Sequence, residues 1–308
     1  MGTARSLASS AKRIYNEDGW AAVARATYMK GHRTAGERVN YGDGPYDREW
    51  DVLIVLDACR YDLFEQVVPH HPISESIEHL EPIYSHASTS EEWMAKSFTD
   101  GPPEDVADTY YISGNGWSKH LDPTMFAGIE NVAEYGIDSE YSIVPSDPVT
   151  DAAIDCYRNS DAERYIIHYI PPHAPFYHCA GKYSSTRDEA GGSQNVWNGL
   201  RRGEYDRNEV WADYGKHLLN VLDHVSVIIE NVSGHVAITA DHGNALGEFG
   251  VYGHPGYCLV PSVKRVPWAT ATGEGKETYT IRGVRENATD TMDEGEIDEH
   301  LRDLGYIV

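Results

Sequence analysis

The sequence predicts an α/β fold, a mostly parallel central sheet with helices on both faces, and three observations predict it. Continuous apolar runs such as VLIVL (52–56) and HVAITA (235–240) are short, as strands buried on both faces are. Stretches with helical periodicity lie between those runs, the alternation that builds parallel sheets. The chain has 308 residues, 41% of them hydrophobic and 11% aromatic, which is enough apolar material for a full core.

In chain order, residues 1–50 read as an N-terminal helical arm followed by a polar connector, YGDGPYDREW (41–50). Residues 51–308 read as one catalytic-sized domain. Its predicted strands are DVLIVLD (51–57), TYYISG (109–114), YSIV (141–144), RYIIHYI (164–170), HVAITA (235–240) and RVPWAT (265–270). SEEWMAKSF (90–98) predicts a short helix, with Ser88 and Glu91, or Thr89 and Glu92, as a capping box. Between 204 and 231, Val210, Tyr214, Leu218, Val221, Val225 and Ile229 recur at helical spacing. GEIDEHLRDLG (295–305) predicts a final amphipathic helix. The Gly- and Arg-rich stretch 181–203 and the acidic stretch 271–293 read as surface excursions.

Composition excludes several classes. Twenty-five Lys and Arg against 49 Asp and Glu give a formal charge of −24, the wrong sign for a nucleic-acid partner. No apolar run approaches the roughly 20 residues of a membrane span. The four cysteines show no CxxC spacing, which argues against a thiolate zinc finger or a disulfide scaffold. The N-terminus has basic residues but no apolar segment after them, so the expectation is a cytoplasmic protein. Only 8 of the 25 cations are Lys, and an acidic, Lys-poor surface suits a halophilic protein; an ordinary acidic protein is the alternative.

In open α/β sheets ligands sit beyond the carboxyl ends of strands. Three predicted strands end in functional side chains. Asp57 follows five apolar residues, where a carboxylate is costly unless paired. A divalent cation would pair it; so would a helix start or Arg60. RYIIHYIPPHAPF holds His173 in a proline-bounded loop, while His168 inside the strand reads as a packed core residue and His178 as a weaker candidate than His173. HVAITADHGNALGEFGVYGHPG carries the strongest signal: Asp241 and His242 are adjacent after a buried strand, Gly243 permits a tight turn, and His254 follows in a Gly- and Pro-bounded turn. Carboxylate plus imidazole suits zinc or manganese; added oxygens suit calcium or magnesium. Ser88, Thr89 and Ser90 put three hydroxyls at a helix start, where ordinary capping is the competing explanation.

Together these motifs resemble the sulfatase-like branch of the alkaline phosphatase superfamily. VLIVLDACRYDLF (52–64) is similar to that branch's first-strand motif, YIPPHAPF (169–176) to its PHxPF loop, and ITADHGNALGEFGVYGHPG (238–256) to its DHGExLGEHGxxGK motif. RVPW (265–268) and the closing LRDLGYIV (301–308) match later family signatures, so the resemblance covers about residues 51–308. It implies an alkaline-phosphatase-like fold and a divalent metal (Mn, Zn, Ca or Mg) held by Asp57, Asp241 and His242. It also implies a covalent nucleophile at the 88–90 helix start, with Ser90 the first choice and Thr89 the second. His173 would contact the anion or protonate the leaving oxygen; His254 would contact the anion or hold a second metal, and Arg60 would bind substrate. The CxPSR motif of formylglycine sulfatases does not occur, so Ser or Thr chemistry on a phosphate ester of a small molecule, glycan or polyol is expected. A sulfatase without formylglycine, a non-catalytic member that binds metal and anion, and a phosphomutase are the alternatives. Asp213 and His217 have the DxxxH spacing of bimetallic relatives but read as a surface helix pair, which favours one metal over two.

Overall fold

The structure, a computed structural model, describes residues 20, 23–39, 41–99, 104–138, 143–179, 181–183 and 195–283. Strands β1 (Val52–Leu56), β3 (Thr109–Ser113), β5 (Arg164–Tyr169), β6 (Ser233–Thr239) and β9 (Arg265–Glu274) fall where five of the six apolar runs predict them. They are joined by β2 (His79–Tyr84) and β4 (Gly128–Asn131) in a seven-stranded sheet of order β2-β9-β6-β1-β5-β3-β4. β1 lies at its centre, parallel to β5 and β6, and all five of its residues are buried. Pairing is parallel through β3 and β4, and antiparallel where β9 joins β6 and β2. A two-stranded ribbon, β7 (Ala245–Leu246) and β8 (Tyr252–Gly253), follows β6.

Successive strand residues point to opposite faces, and β5 shows both faces covered. The His168 ring lies 5.7 Å from Trp93 of α3 (Ser90–Met94), on one face. On the other face, the Tyr169 hydroxyl meets Thr150 of α4 (Ser146–Asn159) at 2.9 Å. α4 packs against α6 (Arg207–Asn231), the long predicted helix, whose Val210, Tyr214, Leu218, Val221, Leu222 and Val225 are all buried. Its start is capped by Asp206, whose carboxylate accepts from the Asn208 and Glu209 amides. The remaining helices are α1 (23–36), α2 (Tyr61–Val67), α5 (Val196–Arg202) and α7 (Pro261–Lys264).

Four expectations are corrected. The 141–144 run forms no strand within the described residues: Ile143 makes only an isolated bridge to Asp138. The 181–203 stretch contains α5, which buries Val196, Trp197 and Leu200. The helix at 90–98 is α-helical only to Met94 and then opens into a π turn over Ala95–Thr99. Asp213 and His217 are not a surface pair, because both are buried. The predicted C-terminal helix and the LGY ending lie outside the described residues.

Candidate active site

The carboxyl ends of β1, β3 and β6 meet the start of α3. Asp57 leaves β1 into a turn in which Ala58 holds a positive φ of 59°. That turn aims the Ala58 amide at Asp241 Oδ1, 3.0 Å away, and the Tyr214 hydroxyl donates to the Ala58 carbonyl behind it. A non-glycine residue in this region costs about 1–3 kcal/mol and needs surrounding structure to hold it there. Here the contacts that hold it also orient Asp241.

Ser90 stands between the two carboxylates. Its hydroxyl lies 2.6 Å from Asp241 Oδ2 and 3.3 Å from Asp57 Oδ2. Asn115, at the end of β3, donates its side-chain N–H to Asp57 Oδ2 at 2.8 Å while its Oδ1 caps the turn at Trp117. His242 Nε2 lies 3.4 Å from Asp241 Oδ2 and 3.6 Å from Asp57 Oδ1. All of these side chains are fully buried. The structure therefore brings Asp57, Ser90, Asp241 and His242 into one cluster.

The neighbouring hydroxyls are committed elsewhere. Thr89 is the N-cap of α3 and accepts from the Glu92 amide, which removes it from the carboxylates. Ser88 donates to Glu92 Oε2 at 2.8 Å. Glu92 does not close the capping box on Thr89; it accepts the Ser88 amide and is held by Lys96 at 2.5 Å. This buried brace fixes the turn that presents Ser90.

Arg60 does not face the cluster as a substrate contact. It forks onto Asp62 at 2.8 and 2.6 Å, reaches Glu248 and the Asn244 carbonyl at 2.9 Å, and stacks on Trp211. All its donor edges are engaged in tying β1's exit to the 241–248 loop, so it is a structural tie.

His173 and His254 come together at the same place. Their Nε2 atoms are 3.0 Å apart, and the His254 ring stacks on His242 with centroids 4.4 Å apart. His173 Nδ1 faces the Ala174 carbonyl at 2.5 Å, which requires a proton on Nδ1. Burial pushes His173 down to about 4. Burial likewise holds His254 well below the usual histidine range. These rings are therefore neutral at pH 7, and the His173 Nε2 faces His254.

Sequence reasoning missed two members of the site. His168 is buried in β5 as expected, but its Nε2 lies 3.8 Å from Asp241 Oδ2, and its Nδ1 pairs with the Tyr111 hydroxyl at 2.8 Å. Burial pushes His168 down to about 4. Asn115 was hidden because an Asn after a strand reads as a cap, which it also is. The signal that finds it is the one used for Asp57: a polar residue just past a buried run.

The chemistry of the donors points to a cation. The His242 Nδ1 faces the Gly243 carbonyl at 3.0 Å and so carries the ring proton. Nε2 then presents a lone pair toward two carboxylates, an arrangement of acceptors that repel one another. Burial works to raise the Asp241 carboxyl, while the Ser90 hydroxyl and the Ala58 amide donate to it and favour its ionised form. Two ligand atoms each about 2.1 Å from a tetrahedral ion stand about 3.4 Å apart. The contacts of 3.3, 3.4 and 3.6 Å among Ser90, Asp57, Asp241 and His242 match that spacing. Asp57, His168 and Asp241 likewise offer ligand atoms within 4.8 Å of one another.

No family model matches the sequence, and no curated protein is significantly similar to it. Solved structures do match in fold. The soluble domain of lipooligosaccharide phosphoethanolamine transferase A from Neisseria meningitidis superposes with a TM-score of 0.52 at 16% identity, over 86% of this chain and 90% of that one. The integral membrane protein from the same organism gives 0.52 at 15% identity, over 98% of this chain and 66% of its own, so the chain spans about two thirds of that protein. The C-terminal periplasmic domain of phosphoethanolamine transferase EptC from Campylobacter jejuni gives 0.50 at 15% identity, over 73% and 79%. Sulfatases and a protein of the alkaline phosphatase superfamily are among the further matches. The chain thus has a fold similar to that of the phosphoethanolamine transferase domains.

Proposed function

We propose that the chain is a metal-dependent transferase or hydrolase of phosphate esters with Ser90 as its nucleophile. One observation carries this reading: two strand tips far apart in sequence, those of β1 and β6, converge on the Ser90 hydroxyl with the donor set Asp57, Asp241 and His242 around it. A divalent cation bound there supplies charge neutralisation for the ester and a lowered pKa for the hydroxyl. Zinc and manganese fit the mixed imidazole and carboxylate donors best.

Asp57, Asp241 and His242 would hold the cation, and Asn115 and the Ala58 amide orient the two carboxylates. Ser90 Oγ forms the bond to phosphorus as the phosphorus–oxygen bond to the leaving alcohol breaks, and the proton that Ser90 gives up ends on that leaving oxygen. His254, whose Nε2–H is given to His173 and whose ring stacks on His242, borders the cluster as a neutral ring. Water or an acceptor alcohol then attacks phosphorus and releases Ser90. The phosphoethanolamine transferases named among the fold neighbours make a phosphodiester donor and a glycan acceptor the substrate class to try first.

Turnover of an aryl phosphodiester and an aryl sulfate, with Mn²⁺ or Zn²⁺ added, is the test. The expected result is metal-dependent phosphodiester cleavage that falls by at least about a thousand-fold in Ser90→Ala. Equal activity in Ser90→Ala, or activity on the sulfate alone, would overturn the assignment.

A further inference from the structure

A second group of ligating atoms lies outside this site. His178 and Cys179 end the short turn Tyr177–Cys179 that follows the His173 loop. Asp213 and His217 lie one turn apart on α6. His178, Cys179 and Asp213 offer one ligand atom each within 4.8 Å of one another. His178 Nε2 and Asp213 Oδ1 are 3.4 Å apart, the separation of two ligands on one tetrahedral ion. His217 is fully buried, and neither of its ring nitrogens has a hydrogen-bond partner. Its ring centroid lies 6.3 Å from that of His178. An imidazole buried with both nitrogens unsatisfied is costly, and a metal ligand role removes that cost at one of them.

The surroundings of Asp213 are arranged for one free coordination edge. Its Oδ2 is held from behind by Lys182 at 2.6 Å and the Tyr183 hydroxyl at 2.7 Å. Such outer contacts are what fix ligating carboxylates in metal sites. Its Oδ1 is touched by Lys216 at 3.1 Å, and that side chain is 60% exposed. Lys216 is therefore a cation that can leave for solvent without disturbing the fold.

We infer that His178, Cys179, Asp213 and His217 form a zinc site, separate from the Ser90 cluster, that pins the His173 loop to α6. Binding forms the sulfur–metal bond as the Cys179 thiol releases its proton to solvent, and the Lys216 ammonium leaves Oδ1. One thiolate and one carboxylate then balance the dication. Burial and the nearby Asp213 otherwise push the Cys179 thiol up to about 11, so the metal must displace that proton. The inference does not rest on the enzymatic reading, since none of the four residues belongs to the Ser90 cluster.

Cobalt(II) titration of the full chain tests it, because of the two sites only this one contains sulfur. The expected result is a thiolate-to-cobalt charge-transfer band in the near ultraviolet. Cys179→Ser should abolish the band and lower the bound cobalt by one equivalent. Lys216→Met should tighten cobalt binding several-fold, which a merely structural lysine would not do. His217→Ala should weaken it. Absence of the band at saturating cobalt would overturn the site. So would a band that survives Cys179→Ser and therefore belongs to Cys59, Cys156 or Cys258. Unchanged affinity in Lys216→Met would equally count against it.

Discussion

Replacing Asp57 by asparagine should stabilise the metal-free protein and destabilise the metal-bound one relative to wild type. Both carboxylates touch the same serine oxygen, so their charges lie within about 6 Å of each other. At an effective dielectric of about 20, two like charges at that separation repel by about 3 kcal/mol. The neutral amide would keep the shape of the carboxylate and could still accept from Asn115, so most of that repulsion would be relieved. For a chain of this size the relief corresponds to a rise in Tm of about 6 °C. Manganese reverses the order. At a thousand times its dissociation constant a ligand adds about 4 kcal/mol to the form that binds it, and Asp57→Asn would lose most of that gain. Manganese is the ion to use because it ignores a thiolate site. Thermal melts in EDTA and in excess Mn²⁺ give the four values. A variant less stable than wild type in EDTA, or two proteins that gain equally from Mn²⁺, would refute the reasoning.

Three further outcomes follow from the same contacts. Burial pushes His86, His168 and His173 down to about 4 and His217 to about 3. Between those values and about 6.5 the unfolded chain binds more protons, so stability rises with pH there and is lost on acidification. With four such groups the slope approaches about 5 kcal/mol per pH unit near pH 5. Metal-free urea melts from pH 7 to 4.5 should show it, and a flat profile would contradict it. A methyl group on Gly243 would stand 2.6 Å from the Ser262 carbonyl, so Gly243→Ala should cost about 1–3 kcal/mol and weaken Mn²⁺ binding. Gly215→Ala on α6 meets nothing closer than 3.4 Å and should gain up to about 1 kcal/mol instead, which makes it the control in the same melts.

The parts of the fold that were legible share one property. β1 is buried along its whole length, β5 from Tyr165 on and β6 from Val236 on, so these runs are mostly apolar, and the polar residues that follow them stand out. β2 was not legible because HLEPIY is a mostly exposed edge strand with a proline in it. α4 was missed because SDPVTDAAIDCYRN buries small and polar residues, Thr150 and Asp151 among them, that carry little periodic signal. At the site, Asp57, Asp241 and His242 were readable from strand ends alone. The choice among Ser88, Thr89 and Ser90 was not, since all three are good caps by composition. Only the helix register shows that Thr89 caps, Ser88 braces Glu92, and Ser90 points at the carboxylates. Arg60 was misassigned for a related reason: Asp62 is visible beside it in sequence, but Glu248 and Asn244 reach it only through the fold.

The central claim is that Ser90 makes the covalent bond to phosphorus. Acid quenching during turnover of an aryl phosphodiester, followed by peptide mapping by mass spectrometry, tests it directly. The mass of the transferred group should appear on Ser90, and Ser90→Ala should show none. An adduct on Ser88 or Thr89, or metal-dependent turnover in the Ser90→Ala protein with no adduct anywhere, would contradict the account.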